Sequence, residues 1–598
     1  MRAEMRVSRV VIRNVRAIEF ADVPLSEATT LVIGENTTGK SSFIHALRLC
    51  LDVGLTSTYR SLAKDDIYCG VDQTLPFQAF VGVEITGFAG NENEEAMLHG
   101  TQIEPDKARI FYRFRPKKII REQLQQGPLG RDLALDDFSW ELFGGGNPGI
   151  DLTQIAWNHE NDQLNASPVG LQYLQSYLVV HLPALRDVES DLQQPRRSPL
   201  MRLVEASDIS QAEQQAIVEA VSQANALIEG TPTVQAIAES IDRAVTEVTG
   251  PAFDLDVELG LSSPSFQSII RNLILLLSNP VVKQFEPRRN GLGLNNVLYI
   301  AILIEQFRKR AAAGKSAGEL ILIEEPEAHL HPQLQATLMD AVRRLPFQTI
   351  ATTHSTQITA GASLASYVTF TQRPNLAPAI AVPSRAPGLT PADQQDLERY
   401  LDATKANLLF ARKVMLVEGA AELLLIPPLV KEVMDVDLER EGISLIAIHG
   451  VHFAAFAKLF SAQCLPKKCA IVGDADLDPE IVPAGDDVPA PANLALLQGD
   501  YVRVFVGQTT FECELTLLDN LDMLGRAAGD LGANQLRGDL GMQELMGGPV
   551  PDALKAKVLR TAKRFGKGRF AQVTSRHASL AGELPQYIID AVDWLRAE

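Results

Sequence analysis

What this chain lacks narrows it first. Its 598 residues contain only five cysteines, Cys50, Cys69, Cys464, Cys469 and Cys513, odd in number and scattered. That usage fits a reduced cytosolic protein better than a disulfide framework. Cys464 and Cys469 have no second Cys/His pair nearby, which argues against zinc. No apolar run reaches the roughly 20 residues of a membrane span, and the opening "MRAEMRVSRVVIRNVRAIEF" has no signal-peptide core. Positive charge is also short: the formal net charge of -19 excludes a generally basic nucleic-acid coat, though not local basic patches. The chain therefore reads as soluble, cytoplasmic and free of membrane contact. At this length it needs at least two domains, since one domain usually takes about 100–200 residues.

Residues 29–42, "TTLVIGENTTGKSS", run an apolar strand into a Gly-rich turn and then a helical pattern. This is the G-x-x-x-x-G-K-[ST] arrangement: Gly34 and Gly39 let backbone N–H groups approach phosphates, Lys40 reaches the β/γ-phosphates, and Ser41 ligates Mg²⁺. Asn36 and Ser42 belong to the same ATP-binding loop. Further on, "GELILIEEPEAHLHP" ends an apolar strand in Glu324, a Mg²⁺ partner, and Glu325, placed to polarise the attacking water. The segment "QTIATTHST" leaves His354 at a strand end, where it can sense the γ-phosphate. In "RRNGLGLNNVLYIAILIEQF", Gly291 and Gly293 precede an apolar helix and form a second phosphate-binding device, one that a second copy of the chain would use.

The order of these motifs, with "VIRNVRAI" at the start, resembles ATP-binding-cassette ATPases of the SMC, Rad-fifty and RecF type. In those proteins the Gly-rich signature of one subunit closes over ATP held by the other. Glu324 stands where most cassette ATPases have Asp. Between the P-loop and the Glu-Glu strand, residues 197–249 read as helices, a dimerisation element, and "HLPALRD" offers Arg186 as a nucleotide or interface contact. Residues 107–121 carry seven basic and no acidic residues, and read equally as a phosphate-backbone track or a solvated sheet face.

The C-terminal third holds a second acidic constellation. "KVMLVEGAAE" predicts a strand over Lys413–Val417 with Glu418 at its end and Glu422 one helical turn on. "CAIVGDADLDPE" predicts a strand ending in Asp474 and Asp476, followed by Asp478. An EF-hand is excluded, because Pro479 and Gly485 stand where that loop needs Gly and Glu. A solvated acidic turn remains the bland alternative. "VRVFVGQTTFECELTLL" brings Thr510 and Glu512 to a third strand end. In an open parallel sheet such ends converge. The converging carboxylates need cations, and oxygen-only donors select hard ions, Mg²⁺ or Mn²⁺, two of which can be held for phosphodiester cleavage.

The ordered set E-G-x-x-E, D-x-D and T-x-E resembles the nuclease form of the Toprim domain. A P-loop ATPase joined to such a domain resembles the overcoming-lysogenization-defect (OLD) family, and "LDATKANLLFARKVMLVEG" is itself much like that family. The resemblance implies an α/β chain: an ABC-type ATPase over 1–395, with an inserted helical dimerisation element at about 195–255, then a Toprim parallel-sheet nuclease over 396–598. It assigns Glu418, Glu422, Asp474, Asp476, Thr510 and Glu512 to the metal site, Asp478 beside them, and Lys567 in "FGKGRFA" to charge stabilisation at the cleaved phosphate. Family members act on DNA, many in phage defence, some with a UvrD-like helicase encoded nearby; this sequence itself shows no helicase. The competing reading is an ATP-gated DNA clamp without nuclease activity.

Overall fold

The computed structural model describes residues 5–597 except 172–173, 175–176, 185–198, 206, 208, 250–255, 279, 288–290, 313–317, 346, 374–375, 402–405, 450–452 and 476–490. The chain forms two compact units. One comprises Met1–Ala184, Ala317–Glu327 and Pro332–Glu598, and the other Leu185–Ser316 with Ala328–His331.

The larger unit contains three sheets. The first is antiparallel, built from β1 (Arg6–Val15), β2 (Ile18–Pro24), β4 (Ala79–Thr86), β5 (Gln102–Glu104), β6 (Lys107–Pro116), β7 (Phe138–Gly145) and β8 (Ala166–Pro168), in the order β2-β1-β4-β6-β7-β8 with β5 against β6. Its strands are long and rich in Val, Ile and Phe, the residues that suit a pleated, buried surface.

The basic run on β6 is neither of the two things its sequence suggested. Arg109, Arg113, Arg115 and Arg121 are buried. Arg109 donates to Ile150 O and Glu84, Arg113 to His159 O, and Arg115 to Trp157 O, while Arg115 and Arg121 share Glu160. Burial and the neighbouring Arg115 push the Arg113 guanidinium down to about 10. Arginines with these carbonyl and carboxylate partners turn inward, which charge counting along a strand cannot reveal. Lys117 and Lys118 alone of the seven are exposed.

The second sheet has the order β13-β12-β3-β11-β10-β9, from β3 (Thr29–Gly34), β9 (Leu178–Leu182), β10 (Glu319–Glu324), β11 (Gln348–Thr353), β12 (Tyr367–Arg373) and β13 (Leu376–Ala381). All neighbours are parallel except β12 and β13. The parallel strands β3, β10 and β11 read as nearly continuous apolar or Thr runs because helices cover such sheets on both faces. Their carboxyl ends lie side by side. The third sheet is fully parallel, ordered β15-β14-β16-β17, from β14 (Lys413–Val417), β15 (Ile443–Ala447), β16 (Cys469–Asp474) and β17 (Val502–Gly507). Its core gathers Met415, Val417, Ala470 and Val472 with helical residues such as Leu425, Leu429, Phe570 and Ile588.

In the smaller unit, the helices Gln211–Glu229 and Pro232–Thr249 contain no buried residue. Ile217, Leu227, Ile228, Ile237, Ile241 and Val248 on them are exposed. The helix Leu292–Ala312 begins earlier than its sequence suggested, so Gly293 lies inside its first turn and only Gly291 precedes it. A Cβ on Gly293 would meet His329 O at 2.3 Å, a close approach that glycine alone permits. No helix among the described residues is long and apolar enough to cross a membrane.

Candidate functional sites: a P-loop and an acidic strand-end cluster

The first site lies at the carboxyl ends of β3, β10 and β11. Gly34 ends β3 with φ +147°, where a Cβ would meet Phe370 O at 2.0 Å. Gly39 (φ +100°) then opens the helix Lys40–Leu51, so the turn between them requires two glycines. Lys40 is buried, and its Nζ donates to Gly34 O (3.0 Å) and Glu35 O (2.5 Å). Burial pulls its ammonium down to about 8, while Glu325, Glu327 and Glu35 hold it up. Asn36 and Ser41 are exposed and Ser42 is buried under the turn.

Glu324 ends β10. Burial would raise its carboxyl, but hydrogen bonds from His181 and the Ser41 hydroxyl outweigh this and hold it below the usual range. His181 Nε2 stands 2.7 Å from Glu324 Oε1 because β9 pairs in parallel with β10, setting His181 against Leu322. Glu325 is exposed and takes a left-handed conformation (φ +46°), with its N–H donating to Thr352 O (3.0 Å). His354 follows β11, and its backbone N–H donates to Glu327 Oε1 (2.6 Å). Burial and the Lys40 charge push its imidazole down to about 4, so the ring is neutral at pH 7. Gly291 and Gly293 belong to the other compact unit.

The second site lies at the carboxyl ends of β14 and β16 and beyond β17. Glu418 follows β14, and its Oε1 accepts the Asp474 N–H (2.9 Å). Asp474 ends β16, and its Oδ2 accepts the Phe511 N–H (2.8 Å). These two bonds tie three separated sequence segments together. Glu422 is buried in the first turn of the helix Ala420–Met434, where Oε2 accepts the Gly419 N–H (3.1 Å). Thr510 and Glu512 flank Phe511 and are both buried. Lys567, half-buried at the start of the helix Lys567–Ser575, points Nζ to within 3.0 Å of Glu512 Oε2. Asp476 and Asp478, like Arg186, lie outside the described residues.

Electrostatics at this site are those of crowded acids. Burial, with the charges of Glu418 and Glu422, pushes the Asp474 carboxyl up to about 8. Burial, with Glu512 and Glu418, raises Glu422. Burial would lower the Lys567 ammonium, but Glu512, Asp474 and Glu422 outweigh it and raise it. Glu512 Oε1 is buried without a hydrogen-bond partner among the described residues, and the Thr510 hydroxyl beside it has only the weak Cys513 thiol as a neighbour to bond. Such under-bonded oxygens beside mutually repelling carboxylates form a donor set suited to a hard divalent cation. Among the described residues no three acidic, histidine or cysteine side chains close around a single point as metal ligands.

Sequence reading missed several residues here. His181 sits within the quoted "HLPALRD", where only Arg186 drew notice, although a histidine in an apolar strand run was a visible signal. Glu327, raised by burial, is three residues beyond Glu324 in a stretch already singled out. Tyr587 has a buried hydroxyl without a partner, raised far above its ordinary value by burial and by Asp474 and Glu514; its sequence gave no sign.

Such geometry defines a class, a P-loop ATPase joined in one chain to a Toprim-type parallel sheet. The chain belongs to the AAA ATPase domain family, whose model matches residues 5–229 and 207–359. The model for the TOPRIM domain of overcoming-lysogenization-defect-like proteins matches residues 409–476, so the chain joins an ATPase domain to an OLD-like TOPRIM domain. The Old nuclease of Escherichia phage P2 is 22% identical over 467 residues, covering 75% of this chain and 73% of the relative. The uncharacterized protein YbjD of Escherichia coli K12 is 30% identical over 133 residues, 22% of this chain and 23% of the relative. Among solved structures, the C-terminal region of the Burkholderia pseudomallei OLD protein is 26% identical, covering 31% of this chain and 98% of that one, with a TM-score of 0.26. The SMC head domain from Thermotoga maritima is 14% identical, covering 63% of this chain and 98% of that one, with a TM-score of 0.28.

Proposed function

We propose that this protein is an ATP-binding, divalent-metal-dependent DNA endonuclease, with an ATPase domain over residues 1–395 and a Toprim nuclease domain over 396–598. The observation that carries it is the chain of contacts Glu418–Asp474–Phe511, flanked by Thr510, Glu512 and Lys567, at one end of a parallel sheet. Glu418, Glu422, Asp474, Asp476, Thr510 and Glu512 would hold Mg²⁺ or Mn²⁺, with Asp478 beside them. Two such ions would supply an activated water and neutralise charge on the scissile phosphate. Burial and the neighbouring carboxylates favour the protonated form of Asp474, and a cation bound there would displace that proton. Glu512 orients Lys567, whose ammonium faces the acids and can stabilise charge developing on the phosphate.

At the other site, Gly34, Asn36, Gly39, Lys40, Ser41 and Ser42 would bind ATP, with Ser41 and Glu324 on its Mg²⁺. Glu325 would polarise water, and neutral His354 would meet the γ-phosphate. Gly291 and Gly293 would act on ATP held by a second copy. A homodimer through the exposed apolar residues of Gln211–Glu229 and Pro232–Thr249 supplies that copy. Work on DNA in phage defence or DNA repair fits these activities. Incubating the purified protein with supercoiled and linear DNA in Mg²⁺, Mn²⁺ or EDTA is the test. Metal-dependent nicking that Asp474→Ala abolishes supports the reading, and intact DNA in both metals leaves the non-cleaving clamp.

A further inference from the structure

The connection between the two sites is built into one short stretch of chain. Arg412 immediately precedes β14, and its Nε donates to Glu35 Oε2 at 2.9 Å. Glu35 is a residue of the P-loop itself, and its backbone carbonyl accepts from Lys40 Nζ. Arg412 also lines a cavity of about 400 Å³ with Asn36, Thr37, His354, Thr356 and Asn407, at the mouth of the phosphate-binding turn. The Arg412 side chain is 71% exposed, so the pair adds little to stability and the guanidinium is free to exchange partners.

On its other side the same stretch is held rigidly. Lys467, buried in the loop before β16, donates to Leu409 O (3.1 Å) and Ala411 O (2.7 Å). β14 and β16 are hydrogen-bonded neighbours from Val414↔Cys469 to Val417↔Val472, and Glu418 just beyond β14 accepts the N–H of Asp474 at the end of β16. These contacts join the stretch around Arg412 to both strands that end in the acids.

We propose that Arg412 is a nucleotide-sensing positioning residue: phosphate arriving at Lys40 displaces the Glu35 carbonyl, the Glu35–Arg412 pair re-forms or breaks, and β14 carries the change to Glu418. The proposal rests on the reading of the P-loop as an ATP site and of the acids as a nuclease site. It makes cleavage respond to ATP through a contact within one chain, separate from any contact between copies. Lys40 is attracted to the incoming phosphates more strongly than to two neutral carbonyls, which supplies the differential interaction that such a switch requires.

The test uses the full-length protein, with ATP binding, DNA cleavage with and without ATP, and hydrogen exchange over residues 407–419. In the wild type, ATP with Mg²⁺ changes exchange in Lys413–Val417 and alters the cleavage rate by about tenfold, a typical coupling between sites. Arg412→Ala binds ATP normally and keeps its nucleotide-free cleavage rate, but both ATP effects vanish; Arg412→Lys retains part of each. Combining Arg412→Ala with Glu35→Gln adds nothing further to the loss, as expected of two residues acting through one contact. Persistence of the ATP-induced exchange change in Arg412→Ala overturns the proposal. A wild type that shows this change but cuts no DNA overturns the nuclease reading alone, and a wild type that binds no ATP overturns the proposal and the ATP-site reading while leaving the nuclease reading standing.

Discussion

Lys567 Nζ stands 3.0 Å from Glu512 Oε2, and the carboxylate it faces is 1% exposed. The cation is thus the neighbour that makes one of several crowded acids tolerable in a buried position. Replacing Lys567 by Met leaves that charge uncompensated. We expect stability in EDTA to fall by about 1–2 kcal/mol, the lower part of the range for an orphaned buried charge because the lysine is part-exposed. Urea melts measure this, and saturating Mn²⁺ should restore most of the loss while cleavage stays abolished.

The raised Asp474 carboxyl predicts a pH dependence with a definite sign. Its folded value of about 8 lies above its unfolded value of 3.8, so the folded state binds the extra proton between them. The Asp474 contribution is therefore favourable at low pH and is lost as pH rises through that window. Thermal melts of the metal-free protein from pH 5 to pH 8.5, compared with Asp474→Asn, should show a wild-type decline that the variant lacks. A metal ion competes with the same proton, so the rise in Tm caused by Mn²⁺ should grow with pH.

The two acid-bearing sites lie on different sheets, and their basal chemistries should separate. Lys40→Ala is expected to abolish ATP hydrolysis while metal-dependent DNA cleavage without ATP continues. Glu325→Gln should bind ATP and hydrolyse it about 10²-fold more slowly, the scale of a lost general base. Wild-type hydrolysis by Glu325→Gln would remove it from the role of polarising water.

The helices Gln211–Glu229 and Pro232–Thr249 carry apolar side chains with no buried position to fill. Light scattering should give a dimer for the wild type. Ile237→Glu with Ile241→Glu should halve the mass without disturbing the far-UV spectrum, because a charge at an apolar contact costs association, not helix formation.

Three strands of the third sheet, β14, β16 and β17, were legible because each is a short apolar run ended by a glycine or an acid, whereas β15 (Ile443–Ala447) runs on into Ile448 and His449 and was not anticipated. Lys413–Val417 falls where its sequence placed it, and β16 extends one residue past the "CAIVG" run. P-loop geometry was legible for the same local reason. Contacts made by register were not. His181 reaches Glu324 through strand pairing across 143 residues, and Arg412 reaches Glu35 across 377. Neither leaves a local pattern. Arginines on β6 misled for a related reason: their acceptors are mostly main-chain carbonyls, which every residue possesses and which composition cannot display.

Those inward arginines have a consequence for how a polyanion meets this molecule. A guanidinium enclosed by carbonyls and carboxylates releases no counterions and projects little field into solvent. The first sheet is therefore electrostatically quieter than its arginine content suggests, in a chain whose formal net charge is -19. Long-range attraction of a polyanion to this sheet is correspondingly weak. On the proposed nuclease reading, divalent cations seated among the acids would bridge protein and phosphate, so the ions that cut would also be the ones that dock.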